Sequence, residues 1–254
     1  MRNITLLYDD INKGDLILVN GAYPMIQRQT PASFSMVQNS YNITMQTNAS
    51  KLLSHLFEAV NCKNDIVPVS GYRSPEEQSE IYKTSLAENG QEFTKAYIAL
   101  PHHSEHQTGL AIDLALKQEE IDFIRPYFPY DGICHEFRKL APHYGFIERY
   151  PQGKENITGI AHKPWHFRFV GFPHSKIITE ENITLEEYIE YLKLYPYGGK
   201  HLYIEHRNQI IEVFYVCISN MTSKKISIKD NLLYQVSGNN VDGVIFTNWR
   251  ERYE

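Results

Sequence analysis

The chain reads as an α+β protein: a small mixed sheet with helices packed on it, then a carboxy-terminal β-rich appendage. Three observations predict this. In residues 109–115 and 165–170 bulky residues alternate with small or polar ones, so Leu110, Ile112 and Leu114 share one face, as do Trp165, Phe167 and Phe169. Two other stretches, Leu52, Leu53, Leu56, Phe57 and Ile133, Phe137, Leu140, Tyr144, repeat at helical spacing. Beyond residue 200, short alternating segments recur between turn residues. We expect one domain over residues 1–175 and a helix plus the β appendage over 176–254.

Residues up to about 45 read as loops and short strands around 16–20, where Leu16, Ile17, Leu18 and Val19 precede Asn20 and could form a pocket wall. A helix is predicted over 49–59. Ile66, Val67 and Val69 mark a strand over 65–70 that delivers Arg73 to its end. Ser74 then caps a second helix, with Pro75 at the first position and Glu77 completing a capping box. Residues 87–103 are expected as a loop with a short ordered piece. A helix over 133–144 stops at Gly145. Thr184 with Glu187 opens another helix through Leu194, stopped by residues 195–199. Strands follow at 202–205, 210–218, 232–236 and 244–247, with a turn at 237–240. Their aromatic residues are expected to form the appendage's own core, a pocket lid and a homodimer surface being the alternatives.

With 254 residues, a formal net charge of -5 and 42% hydrophobic residues, the chain can bury a sizeable core. The 25 Lys and Arg are scattered and outnumbered by 30 Asp and Glu, which excludes the basic footprint of a nucleic-acid binder. Acids at Asp9 and Asp10 interrupt the start too early for a secretory signal, and no apolar run is long enough to span a bilayer, so a cytoplasmic location is expected. Cys62, Cys134 and Cys217 lack C-x-x-C spacing and read as isolated reduced thiols, mostly buried.

The chemistry concentrates in His106, Asp113 and His166. Two histidines and one carboxylate are the protein ligands of an open hydrolytic zinc site, whose fourth position is left to water or substrate. Asp113 sits on the small-residue face of its strand and His166 opposite the aromatic face of its own. Three residues before His166, where a carboxylate base is wanted, stands Lys163. Arg73, at a strand end just before a helix amino terminus, combines a guanidinium fork with helix-dipole polarity suited to a carboxylate or an oxyanion. A structural salt bridge is the plainer role for it. His103 and His162 flank the metal motifs; His102, His135, His143 and His174 are expected to be hydrogen-bonded or solvated.

These motifs, in order, resemble the zinc D,D-peptidases of the VanY/VanX/VanXY group: Ser70-Gly71-Tyr72-Arg73-Ser74, the Ser104-x-His106-x-x-Gly109-x-Ala111-x-Asp113 segment, Tyr144-Gly145-Phe146, Arg149-Tyr150-Pro151, Thr158-Gly159 and Pro164-Trp165-His166-Phe167-Arg168. The resemblance spans roughly residues 15–172, and the absence of a span favours the VanX and VanXY style. It implies one zinc ion per chain on His106, Asp113 and His166, and hydrolysis of D-Ala-D-Ala or of the D-Ala end of peptidoglycan precursors, usually in glycopeptide resistance. It implies substrate contacts for Arg73, Gln78 and Ser104, with Arg73 also steadying the oxyanion. Lys163 departs from it, because the family carries a proton-shuttling Glu there. An ammonium cannot accept a proton, so three explanations stand open: an introduced inactivating change, a natural loss of activity, or another carboxylate serving instead, with Glu105 and Glu155 nearest in sequence. A catalytically silent zinc-containing binder of D-amino-acid peptides or cell-wall fragments is the rival function.

Overall fold

The computed structural model describes residues 1–26, 33–38, 40, 42–230 and 232–252. Two compact units divide the chain: Val19–Thr184, and Met1–Leu18 together with Leu185–Glu254. The chain opens with strand β1 (Arg2–Leu7), followed by the short antiparallel pair β2 (Phe34–Met36) and β3 (Thr44–Gln46). Helix α1 (Thr47–Val60), β4 (Ile66–Ser70), α2 (Pro75–Tyr97), β5 (Ala111–Leu116), α3 (Gly132–Leu140), β6 (Phe146–Tyr150), α4 (Glu155–Thr158), β7 (Lys163–Phe169) and α5 (His174–Glu180) complete the unit that carries the metal motifs.

Its sheet runs β4-β5-β7-β6. The sheet expected to be mixed is antiparallel at all three pairings. Alternation works as the sequence predicts: Leu110, Ile112, Leu114, Trp165, Phe167 and Phe169 enter one core with Leu53, Leu56 and Phe57 of α1 and Phe137 of α3. Phe137 meets Phe57 and Phe167 at ring-centroid distances of 5.9 and 5.0 Å, so α1, α3 and the sheet close on shared aromatics. One face of the sheet is thereby spent on packing. The other is left for chemistry.

Two expectations in this unit change. Residues 87–103 are not chiefly loop, because α2 continues to Tyr97 across a non-helical Gly90 (φ 78°, ψ 174°). The glycine looks like a stop signal in sequence, yet the buried Ser85 and Thr94 hydroxyls, 2.9 Å apart, tie the two helical stretches together. Residues 16–20 form no strand; Leu16, Ile17, Leu18 and Val19 are buried as irregular chain. The Ser74 cap is as expected, with the Glu77 N–H donating to Ser74 Oγ (3.1 Å) and Ser74 N–H donating to Glu77 (2.7 Å).

The second unit holds α6 (Leu185–Leu192), β8 (Leu202–His206), β9 (Gln209–Cys217), β10 (Ser223–Ile228), β11 (Leu233–Gly238) and β12 (Gly243–Glu251). Its four-stranded sheet runs β11-β12-β9-β8, and β1 pairs with β10. Residues 1–18, read from sequence with the first domain, therefore cluster with the last seventy. Phe214 and Phe246 stack at 5.1 Å in a core that also takes Leu6 and Ile11. The turn falls at 239–242 rather than 237–240, because Asn239 Oδ1 accepts from the N–H groups of Val241, Asp242 and Gly243. Among the described residues no helix is long and apolar enough to cross a membrane.

Candidate active site

The sheet register builds the site. Asp113 on β5 faces Ser70 on β4 and His166 on β7, so three strands deliver polar side chains to one place. His106 arrives from a 3-10 turn (Glu105–Thr108) that ends at Gly109 in the left-handed region, φ 70°. His106, Asp113 and His166 are all buried, and one candidate ligand atom from each lies within 4.8 Å of the others.

Their hydrogen bonds fix how the rings point. His106 Nδ1 lies 2.7 Å from the Gly71 carbonyl, which can only accept, so Nδ1 carries the proton and Nε2 is left for the opposite side. Nε2 is 3.0 Å from Asp113 Oδ2, and His166 Nδ1 is 2.7 Å from Asp113 Oδ1. Burial, and then the Arg73 charge, lower the His106 pKa to about 4, so the ring is neutral at pH 7 and aims a lone pair at a carboxylate oxygen. Such a pairing repels unless a cation sits among the three groups. Burial pushes the Asp113 carboxyl up, but at the low pH where it would take a proton the charge of the protonated His106 and His166 rings and their hydrogen bonds outweigh this and hold it well below the usual carboxylate range. The donor set fits a divalent metal of zinc type.

Arg73 sits beside this cluster, with Nη2 3.5 Å from Asp113 Oδ2. Two of its nitrogens donate to Ser70 Oγ (3.1 and 2.8 Å), and Nη1 donates to Gln78 Oε1 (3.0 Å). Gln78 is itself braced, its Nε2 donating to the Ala99 carbonyl at 2.7 Å. Arg73, Gln78, Ser104, His106, Asp113, Lys163 and His166 all line one pocket, so every site residue expected from the sequence converges there.

Lys163 lines that pocket from an irregular stretch of the β6–β7 ladder. Plain alternation would put it on the Trp165 face, but the β6–β7 ladder slips between the Glu148–Phe167 and Tyr150–Lys163 pairs. Arg138 fixes the irregularity by donating to the Pro164 carbonyl at 2.7 Å while Nε donates to Glu148 at 2.7 Å. Burial lowers the Lys163 pKa to about 8, the Asp113 carboxylate opposing the shift and Arg73 adding to it.

Of the two carboxylates nearest in sequence, only Glu105 enters the pocket. It is fully buried, and its Oε1 accepts from Arg149 Nε and Arg168 Nη1, each at 2.8 Å. Burial pushes its carboxyl up, but the two guanidiniums outweigh that and hold it far below the usual range, which makes it a poor base. Glu155 accepts from the Gly153 N–H at 3.2 Å and is not among the residues lining the pocket.

Residues 42–172 match the VanY family, D-alanyl-D-alanine carboxypeptidase. The chain belongs to that family. It is 44% identical over 179 residues to the bifunctional D-Ala-D-Ala dipeptidase and D-Ala-D-Ala carboxypeptidase VanXYC of Enterococcus gallinarum, covering 70% of this chain and 94% of that protein. A D-alanyl-D-alanine carboxypeptidase of Enterococcus faecium is 34% identical over 257 residues, 96% of this chain and 78% of that one. Among solved structures, the vancomycin resistance D,D-dipeptidase VanXYg in complex with a D-Ala-D-Ala phosphinate analog matches with a TM-score of 0.93 and 49% identity, covering 98% of this chain and 99% of that one. A VanY mutant from a VanB-type resistance cassette, solved in complex with Zn(II), matches with a TM-score of 0.55 and 29% identity over 69% of this chain and 98% of that one.

Within this VanY-family pocket, some residues lie outside what sequence reasoning chose. Tyr150 packs its ring 4.9 Å from that of His166, and Phe123 lies 5.6 Å from the Arg73 guanidinium. The flanking histidines separate. His103 Nδ1 donates to the Asn20 carbonyl (2.7 Å) and lines a neighbouring cavity of about 300 Å³. His162 Nε2 lies 2.7 Å from the Tyr130 hydroxyl and is not among the residues lining either space. Cys62 and Cys134 are buried and Cys217 is exposed, all without disulfides.

Proposed function

We propose that this chain is a zinc-dependent D,D-dipeptidase and D,D-carboxypeptidase, acting on D-Ala-D-Ala or the D-Ala end of peptidoglycan precursors in the setting of glycopeptide resistance, with turnover slowed by Lys163. The observation that carries the reading is the buried cluster of His106, Asp113 and His166, with His106 Nε2 3.0 Å from the Asp113 carboxylate, beside an arginine and inside one pocket. His106, Asp113 and His166 would hold a single zinc ion. When bound, that ion supplies Lewis acidity, polarising the scissile carbonyl and lowering the pKa of water.

The remaining roles belong to side chains. Arg73 places a held guanidinium where it meets a substrate carboxylate or the oxyanion that develops on the attacked carbonyl, and such preorganised donors act without reorganising. Gln78, with both ends of its amide engaged, supports the reading of a brace for Arg73. Ser104 lines the wall next to His106. The group at 163, which lines the same pocket, is the one we assign to accept a proton from the attacking water and return one to the leaving amine. Lys163 does this only as the free amine.

The second reading, a silent binder of D-amino-acid peptides or cell-wall fragments, is favoured by the same lysine. The two separate in a measurement of D-Ala release from D-Ala-D-Ala by this protein and by Lys163→Glu at matched zinc occupancy. A rate raised roughly a hundred- to ten-thousandfold in the variant supports an enzyme short of its base. Absence of hydrolysis in both, with a phosphinate analogue still bound, supports the binder.

A further inference from the structure

We infer that Glu105 is a positioning residue for His166: its second carboxylate oxygen holds the ring Nε2 proton and so commits Nδ1 to the metal side. Glu105 Oε1 is occupied by Arg149 and Arg168. Oε2 is buried and has no hydrogen-bond partner among the described residues, and the same is true of His166 Nε2. These two orphan atoms lie 3.5 Å apart. Each is the partner the other lacks, and a buried polar atom is rarely left unpaired.

Geometry gives the pairing its consequence. His166 Nδ1 is already 2.7 Å from Asp113 Oδ1, on the side where His106 Nε2 also points. A proton kept on Nε2 leaves the Nδ1 lone pair for the ion, just as the Gly71 carbonyl keeps the His106 proton on Nδ1 and leaves Nε2. The two histidines are thus set as opposite tautomers by two different acceptors, one a backbone carbonyl and one a carboxylate. Arg149 and Arg168 hold the carboxylate in place through its other oxygen, from strands β6 and β7 on either side of the ladder that carries His166. Glu105 therefore acts through His166 and not on substrate.

This rests on the proposed zinc site, and the test keeps the two apart. Zinc-loaded protein with 15N-labelled histidine, read by long-range proton–nitrogen correlation, should show His166 protonated at Nε2 and metal-bound at Nδ1. Glu105→Gln should move that Nε2 proton signal and weaken zinc binding, measured by chelator competition, about ten- to a hundredfold. If Glu105→Gln does not fold, the signal in the unmodified protein decides alone. A His166 ring protonated at Nδ1 with Nε2 on the metal, or a folded Glu105→Gln with unchanged proton signal and unchanged zinc affinity, overturns the inference while leaving the zinc site standing. Unmodified protein that takes up no zinc overturns the site and the inference with it.

Discussion

Tyr150 and Lys163 are cross-strand partners on β6 and β7, and the lysine Nζ lies 5.4 Å from the centre of the tyrosine ring. The ring favours the ammonium, as cation–π contacts do, yet burial dominates and brings the pKa to about 8. Residual hydrolysis should therefore rise with pH through about 8, because only the deprotonated amine accepts a proton. The profile of Lys163→Glu should be flat there, since a carboxylate titrates far lower. Paired kcat/KM profiles from pH 7 to pH 9 at saturating zinc check this. A wild-type rate that falls across that window removes Lys163 from proton transfer.

Stability carries the same group with its own sign. The folded-state pKa lies below the ordinary lysine value of 10.5, so between about 8 and 10.5 the unfolded chain binds more protons than the folded one. Folding stability relative to Lys163→Met should then rise with pH across that interval and level off beyond it. Urea midpoints of the two proteins at pH 7.5, 9 and 10 would give the slope.

Much of the site was legible because its constraints are local. Alternation alone assigns Asp113 and His166 to the polar sides of their strands, since Ile112 and Phe167 have nowhere to go but the core. The Ser74-Pro75-x-Glu77 run states where α2 begins, hence where Arg73 stands. What stayed hidden depends on partners distant in sequence. Lys163 lines the pocket where the β6–β7 ladder is irregular, and nothing in its own segment announces that irregularity. Glu105 read as a spare base until Arg149 and Arg168, far along the chain, occupied its Oε1. Strand β1 stays hidden for the same reason, as its pairing strand β10 lies more than two hundred residues away.

Replacing His166 with alanine removes one of three protein ligands and leaves Asp113 Oδ1 without its 2.7 Å partner. Zinc content by metal analysis should fall from near one per chain to well below it, with secondary structure retained. Near-stoichiometric zinc in this variant would move the ligand set elsewhere.

Gly109 takes φ 70° at the end of the His106 turn, and an added Cβ would sit 2.2 Å from Phe34 Cε1. Phe34 cannot swing away cheaply, because its ring lies 4.4 Å from that of Tyr72. Gly109→Ala should lose about 1–2 kcal/mol from handedness alone and more from the clash. Urea unfolding reads the loss, and zinc affinity should drop as well, since the turn carries His106.

Arg73→Ala should weaken binding of a D-Ala-D-Ala phosphinate analogue while leaving zinc in place. The side chain is half of a brace: it donates to Ser70 and Gln78, and its remaining reach is toward Asp113 and the pocket. Losing a charge-assisted hydrogen bond to the analogue costs about 1.5–3 kcal/mol, or roughly ten- to a hundredfold in affinity. Arg73→Lys should recover only part of this, because an ammonium cannot hold Ser70 and Gln78 through a planar fork and face the ligand as well. Gln78→Ala should lose less than Arg73→Ala, as it loosens the guanidinium without removing its charge. Calorimetric titration of zinc-loaded proteins gives the three affinities. Equal affinity for Arg73→Ala and the unmodified protein would confine Arg73 to its contacts with Ser70, Gln78 and Asp113, and leave recognition of the chain end to another group.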